Sequence, residues 1–343
     1  SDAAEGREDI RRAVQNASDE MKKSKSRNYG LPVLILLIFI LAGVICNAVI
    51  MVVQNTERVD VPQSTDASVP RCDFTKPWYE QYMIVTHALG NVDGRSETNS
   101  REAFIENYNK GARVFEADMS LTADGYLVIR HDFTSTSFWN LEQTMDENMY
   151  YADYMNAKIG YFYTPLDIDG LFALMREYPD TYLVTDTKLK DEDGVKETFR
   201  RLNEGIERAD DPTLRSRIIV QVYDFDMYDY IKDSVSGENC IFTLYQLGYD
   251  RDFEKVADYC GEKGIPVVTM DVSLADEESL AFFKDKGIKV YVNTLNKISK
   301  MTAAVGNLGV DGFYSDYITD SQLKNVLGTH GTSREDDISY GEY

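Results

Sequence analysis

Residues 113–132, RVFEADMSLTADGYLVIRHD, read as two short strands around a tight turn. The TADG connection is far too short for the crossover that parallel neighbours need, so the two strands form an antiparallel pair. A two-residue turn fixes their register. With Ala123-Asp124 as the turn, Glu116 stands opposite His131; with Asp124-Gly125, which the Asp-Gly preference favours, Asp118 does. Because side chains alternate along a strand, either choice projects Glu116, Asp118 and His131 from one face, whereas a three-residue loop would break that arrangement. The plain alternative is a surface hairpin, with Val114, Glu116 and Asp118 on a wet face and Phe115, Ala117 and Met119 on a dry one.

Outward from this pair, short β-branched or aromatic runs alternate with helical ones between about Trp78 and Leu327. The predicted strands are Met83–Ala88, Arg113–Thr122, Tyr126–His131, Thr181–Leu189, Ile218–Tyr223, Cys240–Gln246, Pro266–Asp271, Lys289–Asn293 and Gly312–Asp316. Helical stretches such as Ser100–Lys110, Asp191–Ala209, Asp250–Lys263 and Asp276–Lys286 separate most of them. Repeated βα units need a parallel sheet covered by helices, and about 250 residues of them suit a closed (β/α)8 TIM barrel, an α/β fold, better than an open doubly wound sheet. The GxGxxG of the dinucleotide-binding alternative is missing. Nine strands exceed the eight barrel places by one, and the antiparallel pair accounts for the excess.

The chain of 343 residues is 43% hydrophobic, enough for one large domain with additional segments. Residues 31–53, LPVLILLIFILAGVICNAVIMVV, carry no charge and as a helix would cross a hydrocarbon layer of ~30 Å. The run is longer than the apolar core of a signal peptide, and no convincing cleavage site follows it. Lys22, Lys23, Lys25 and Arg27 precede it while only Arg58 lies close after it, so the positive-inside rule puts the N-terminus in the cytoplasm. The expected organisation is a cytoplasmic tail (1–30), a transmembrane helix (31–53), an extracellular linker (54–77), the barrel (78–328) and a polar tail (329–343). This makes a single-pass protein of the cell membrane.

A formal charge of −22 argues against nucleic acid as a partner, because a phosphate backbone needs a concentrated basic surface. The same excess supplies carboxylates for a hard cation. Cys46, Cys72, Cys240 and Cys260 show no CxxC or Cys/His spacing and read as packed residues.

The chain holds three histidines. His87 and His131 finish predicted strands, and in a barrel His87 would stand at the C-terminal rim, where such folds place their chemistry. His330 falls in the polar tail. TYLVTDTKLK repeats the pattern: an apolar strand ends in Asp186 and Lys188, two residues apart and so on one face.

Taken with IVTHALG, TNSREAF, FEADMSLTADGYLVIRHD, LVTDTK and GVDGFYSD in that order, the outer domain resembles the glycerophosphodiester phosphodiesterases of the phosphatidylinositol phospholipase C-like superfamily. The resemblance implies a (β/α)8 fold and metal-dependent hydrolysis of phosphodiesters. It assigns catalysis to His87, His131 and Lys188, and metal binding to Glu116, Asp118 and Asp186, the last standing where the family usually has Glu. Asn99 and Ser100 match the Asn-Thr that caps the first helix, and Ser100 is a plausible N-cap on its own terms. Two positions depart from the pattern: Ala88 replaces the usual Arg, and Asn293 stands at the usual Trp. Sphingomyelinase D relatives also lack the Arg and use Asp-x-Lys.

Oxygen-only ligands point to Ca²⁺ or Mg²⁺. Two histidines suit proton transfer to and from the reacting oxygens. The expected substrates are small glycerophosphodiesters, lipid headgroups or a glycerol-phosphate polymer. The alternatives are phospholipase D-like action on lysophospholipids and a barrel that binds phosphate without catalysis. Trp139, Tyr223, Tyr245 and Asn293, with Phe133 and Phe138, are candidates for lining the headgroup pocket.

Overall fold

The computed structural model describes residues 72–133, 149–247 and 252–331. Eight parallel strands form a ring: β1 (Ile84–Thr86), β2 (Val114–Leu121), β4 (Tyr182–Asp186), β5 (Ile218–Val222), β6 (Cys240–Thr243), β7 (Val267–Asp271), β8 (Lys289–Asn293) and β9 (Gly312–Ser315). β1 pairs with β9 through Ile84↔Phe313, Val85↔Tyr314 and Thr86↔Ser315, and with β2 through Thr86↔Phe115, which closes the barrel. β3 (Leu127–Ile129) lies outside the ring, antiparallel to β2. The (β/α)8 architecture and the odd ninth strand therefore agree with the sequence reading.

The helices are α1 (Trp78–Gln81), which precedes β1, and α2 (Arg101–Asn109), α3 (Tyr151–Asn156), α4 (Ile168–Glu177), α5 (Glu192–Ala209), α6 (Phe225–Ile231), α7 (Phe253–Lys263), α8 (Glu277–Lys284), α9 (Ile298–Leu308) and α10 (Asp320–Gly331). Part of the acidic excess does structural work at their starts. Asp167, Asp191, Asp224, Asp252 and Asp276 each accept a backbone N–H at the first turn of α4 to α8, at 2.7–2.9 Å. Each such cap contributes about 1 kcal/mol. Ser100 caps α2 as expected, accepting from Ala103 N–H.

The core has two compartments. The larger lies between sheet and helices; α5, for example, buries Val195, Phe199, Leu202 and Ile206, one helical face. The smaller is the barrel lumen, filled by one or two residues from every barrel strand: Val85, Val114, Tyr182, Val184, Ile219, Ile241, Val267, Tyr291 and Tyr314. Trp78 and Tyr82 join this lumen cluster from the segment preceding β1. Cys72, Cys240 and Cys260 are free thiols.

The hairpin differs from expectation in its turn. The pairs Met119↔Ile129, Ser120↔Val128 and Leu121↔Leu127, continued by Thr122 N–H donating to Tyr126 O, leave Ala123, Asp124 and Gly125 as a three-residue loop. Thr122 selects it: its hydroxyl donates to Asp124 Oδ1 at 2.7 Å and accepts Tyr126 N–H at 3.0 Å, while Gly125 takes a φ of 77°. Arg130, not His131, consequently stands beside Asp118, with Arg130 N–H donating to Asp118 O. β3 itself ends at Ile129, so strand alternation is not what brings His131 to Glu116 and Asp118. The surface-hairpin alternative also fails, since β2 is buried on both faces from Val114 to Met119. Among the described residues no helix is long and apolar enough to cross a membrane, and residues 31–53 lie outside them.

Candidate active site

The lumen-facing positions repeat every second residue, so each strand's inward series can be followed to the C-terminal rim. Val85 leads to His87, Val114 to Glu116 and Asp118, Val184 to Asp186, and Tyr314 to Asp316. Neighbouring strands then align these ends, with Glu116↔Val184 and Asp118↔Asp186 in register.

One oxygen from each of Glu116, Asp118 and Asp186 lies within 4.8 Å of the others. Glu116 and Asp118 are buried. Glu116 Oε2 accepts the Ala88 N–H at 2.7 Å, offered by a left-handed turn in which Ala88, Leu89 and Gly90 all have positive φ. Its other oxygen, Oε1, is buried without a hydrogen-bond partner. Asn99 grips Asp118 twice: its Nδ2 donates to Oδ2 at 2.8 Å, and its Oδ1 accepts the Asp118 N–H at 3.1 Å. The Lys188 ammonium bridges Asp118 Oδ1 and Asp186 Oδ2, at 2.9 Å from the latter.

The electrostatics follow. Burial, with the charges of Asp118 and Asp186, pushes Glu116 up to about 8 against the pull of His87 and Lys188. Burial also penalises the Asp118 anion, but Lys188, His87 and His131 outweigh it and hold its carboxyl below the usual range. Lys188 is raised: burial opposes its charge, and the three carboxylates more than offset that. Three convergent carboxylates, one with an orphaned buried oxygen, fit a hard divalent cation with oxygen ligands.

His87 Nδ1 lies 2.8 Å from Asp316 Oδ1, which leaves Nε2 as the free ring nitrogen. Burial alone would lower the imidazole, but Asp316, Glu116 and Asp118 raise it to about 10. Asp316 is itself held by Asn296, whose Nδ2 donates to Oδ2 at 2.6 Å and whose Oδ1 accepts the Asp316 N–H at 2.9 Å. His131 Nδ1 lies 2.5 Å from Asp132 Oδ2, and its imidazole acts electrostatically on Asp118. The structure thus brings together His87, His131, Lys188, Glu116, Asp118 and Asp186.

The candidate pocket residues divide. Tyr223 is fully buried, with its hydroxyl on Asp186. Tyr245 is partly exposed, and its hydroxyl reaches Asp186 Oδ1 at 3.3 Å. Asn293 ends β8, across the ring from β4, in register with Asp271. Phe133 is buried edge-on against Tyr154 and is core packing. Trp139 and Phe138 lie outside the described residues. Asp316, Asn296 and the Asp118-holding role of Asn99 were missed by sequence reasoning. Asp316 had a signal, since it follows the inward-facing Tyr314 by two, as His87 follows Val85.

A sequence model of the glycerophosphoryl diester phosphodiesterase family matches residues 91–320. No curated protein sequence matches. Among solved structures, a glycerophosphodiester phosphodiesterase from Parabacteroides distasonis aligns with a TM-score of 0.58 at 14% identity, covering 73% of this chain and 98% of that one. A phosphodiesterase from Oleispira antarctica, solved with its product sn-glycerol-3-phosphate, has a TM-score of 0.58 at 15% identity, with coverage of 73% and 98%. One from Thermotoga maritima has a TM-score of 0.52 at 17% identity, with coverage of 72% and 98%. Likeness at these identities establishes the shared fold, and the family match, spanning most of the chain, establishes more: the chain belongs to the glycerophosphoryl diester phosphodiesterase family and is a phosphoric diester hydrolase.

Proposed function

We propose that Glu116, Asp118 and Asp186 hold one Ca²⁺ or Mg²⁺, and that His87 and His131 share general acid and base roles in cleaving a glycerophosphodiester. The observation that carries this reading is the convergence of the three carboxylates, within 4.8 Å, beside an Asp316-oriented histidine. When bound there, the cation supplies positive charge against the oxygens that become more negative as the diester splits. Lys188 adds a point charge against a non-bridging phosphate oxygen, exchanging part of its contact with Asp118 and Asp186 for the substrate. Asp316 fixes the His87 tautomer, so that Nε2 handles the proton. The product-bound Oleispira enzyme supports a glycerol-phosphate product here too.

The direct test is His131→Ala in the full chain. We expect release of glycerol phosphate from a diester panel to fall by ~100-fold or more with folding unchanged. Retained hydrolysis would remove the mechanism. A divalent cation at about 100 times its Kd should raise stability by about 2.7 kcal/mol over chelated protein. No thermal shift with Mg²⁺, Ca²⁺ or Mn²⁺ would remove the metal assignment. Ala88 in place of the family's Arg, together with Asp186-x-Lys188, supports a second reading, phospholipase D-like action on lysophospholipids. Free choline appearing with a lysophospholipid and no glycerol phosphate appearing with a glycerophosphodiester would favour it.

We place residues 31–53 across the cell membrane, with the barrel outside. The support is the uncharged length and the lysines before it. Protease added to intact cells should remove the barrel, and a protected barrel would reverse the orientation.

A further inference from the structure

From the hydrogen-bond geometry we infer that Tyr223 is a positioning residue that lets an aspartate serve at position 186, where the family usually has glutamate, by fixing both the Asp186 carboxylate and the backbone turn carrying Lys188. This rests on the active-site reading above and replaces the expectation that Tyr223 touches substrate. The phenol directly follows β5, with its ring fully buried. Its oxygen accepts two consecutive backbone N–H groups, from Thr187 at 2.7 Å and Lys188 at 2.9 Å. Its own hydrogen is donated to Asp186 Oδ1. The hydroxyl therefore has no capacity left for a ligand.

These three bonds have separate consequences. Lys188 adopts a φ of 58°, a left-handed conformation that a lysine does not choose unaided, and the two amides pointing at one oxygen hold it there. Asp186 has Oδ1 occupied by Tyr223 and by Tyr245 at 3.3 Å, and Oδ2 is the oxygen turned toward Lys188. Aspartate is one methylene shorter than glutamate, and the Tyr223 hydroxyl bonded to Oδ1 fixes the orientation of the shorter carboxylate. Gln246 completes the support, its Nε2 donating to Lys188 O at 3.3 Å and to the Tyr245 hydroxyl at 3.1 Å.

Tyr223→Phe removes the hydroxyl and keeps the ring. In the metal-free full-length protein, hydrogen exchange at the Thr187 and Lys188 amides should accelerate by about 5-fold or more, since both lose their acceptor. In the presence of saturating Mg²⁺ or Ca²⁺, kcat should fall ~10–100-fold while KM changes by less than ~3-fold, the pattern of a group that orients without touching substrate. Asp186→Glu alone should be similarly impaired, because the Tyr223 hydroxyl fixes the shorter carboxylate. The double variant Tyr223→Phe/Asp186→Glu should recover at least ~10-fold over the worse single, which a merely structural tyrosine would not produce. Unchanged amide exchange overturns the inference, and so does a double variant no better than the worse single. The exchange measurement needs neither metal nor turnover, so failure of the cation or histidine assignments would leave it standing and be recognised separately.

Discussion

The His87 imidazole is buried among carboxylates, and its behaviour depends on Asp316 at 2.8 Å. Asp316→Asn preserves volume and a hydrogen-bonding edge toward Asn296 but withdraws the charge that stabilises the protonated ring. On the acid-base reading kcat should drop ~100-fold or more with a nearly unchanged thermal midpoint, and an unaltered kcat would exclude Asp316 from proton transfer. The same residues predict how metal-free stability depends on pH. His87 titrates near 10 in the fold against an ordinary 6.5, so its contribution is complete below 6.5 and is lost as pH rises through 10. Glu116, pushed up to about 8 from 4.5, likewise binds its proton more tightly in the fold, and its contribution is lost between those values as pH rises. Both slopes run the same way, so metal-free protein should melt at a lower temperature at pH 9 than at pH 6. A flat or rising midpoint would contradict these environments. At this scale the sequence marked the charged residues but not their partners: Asn99, Asn296 and Asp316 act across contacts that no local pattern reports.

β2 and β3 teach the limit of periodicity. Two strands, their antiparallel sense and their place as the ninth element beside an eight-strand ring were all legible, because chain length between apolar runs restricts which pairings are possible. The turn was not, since Asp-Gly favours a two-residue loop while the Thr122 hydroxyl, bonded to Asp124 and Tyr126, supports three. Extrapolating a two-residue turn then set His131 opposite Glu116 or Asp118, whereas Arg130 stands beside Asp118. Gly125 is the element's sensitive point, at a φ of 77° with Arg201 3.2 Å from where a Cβ would sit. Gly125→Ala should destabilise the protein by about 1 kcal/mol or more in urea unfolding, and a neutral result would mean the loop has another conformation. Helix starts were easier to read, because Ser100, Asp191 and Asp276 carry their capping chemistry in their own side chains.

For the whole molecule, the alternation of short apolar strands with amphipathic helices was enough to identify the barrel, and the lumen confirms it by receiving a residue from every barrel strand. Some of the acidic residues serve as helix caps, which any α/β domain can use, and three form the cluster at the rim, which has no such use. Position in the ring separates the two, and composition alone does not. Trp78 and Tyr82 close over one end of the lumen, and aromatic and branched side chains fill the space between them and the acidic rim. Among the described residues the barrel is stoppered at its base, so diester reaches the acidic rim from the same end by which alcohol and phosphate monoester leave. Departing product and arriving substrate then exclude each other, and added sn-glycerol 3-phosphate should raise the apparent KM in proportion to its concentration with kcat untouched. Inhibition that instead lowered kcat would show that the phosphate monoester leaves before the alcohol and rebinds a site still holding it.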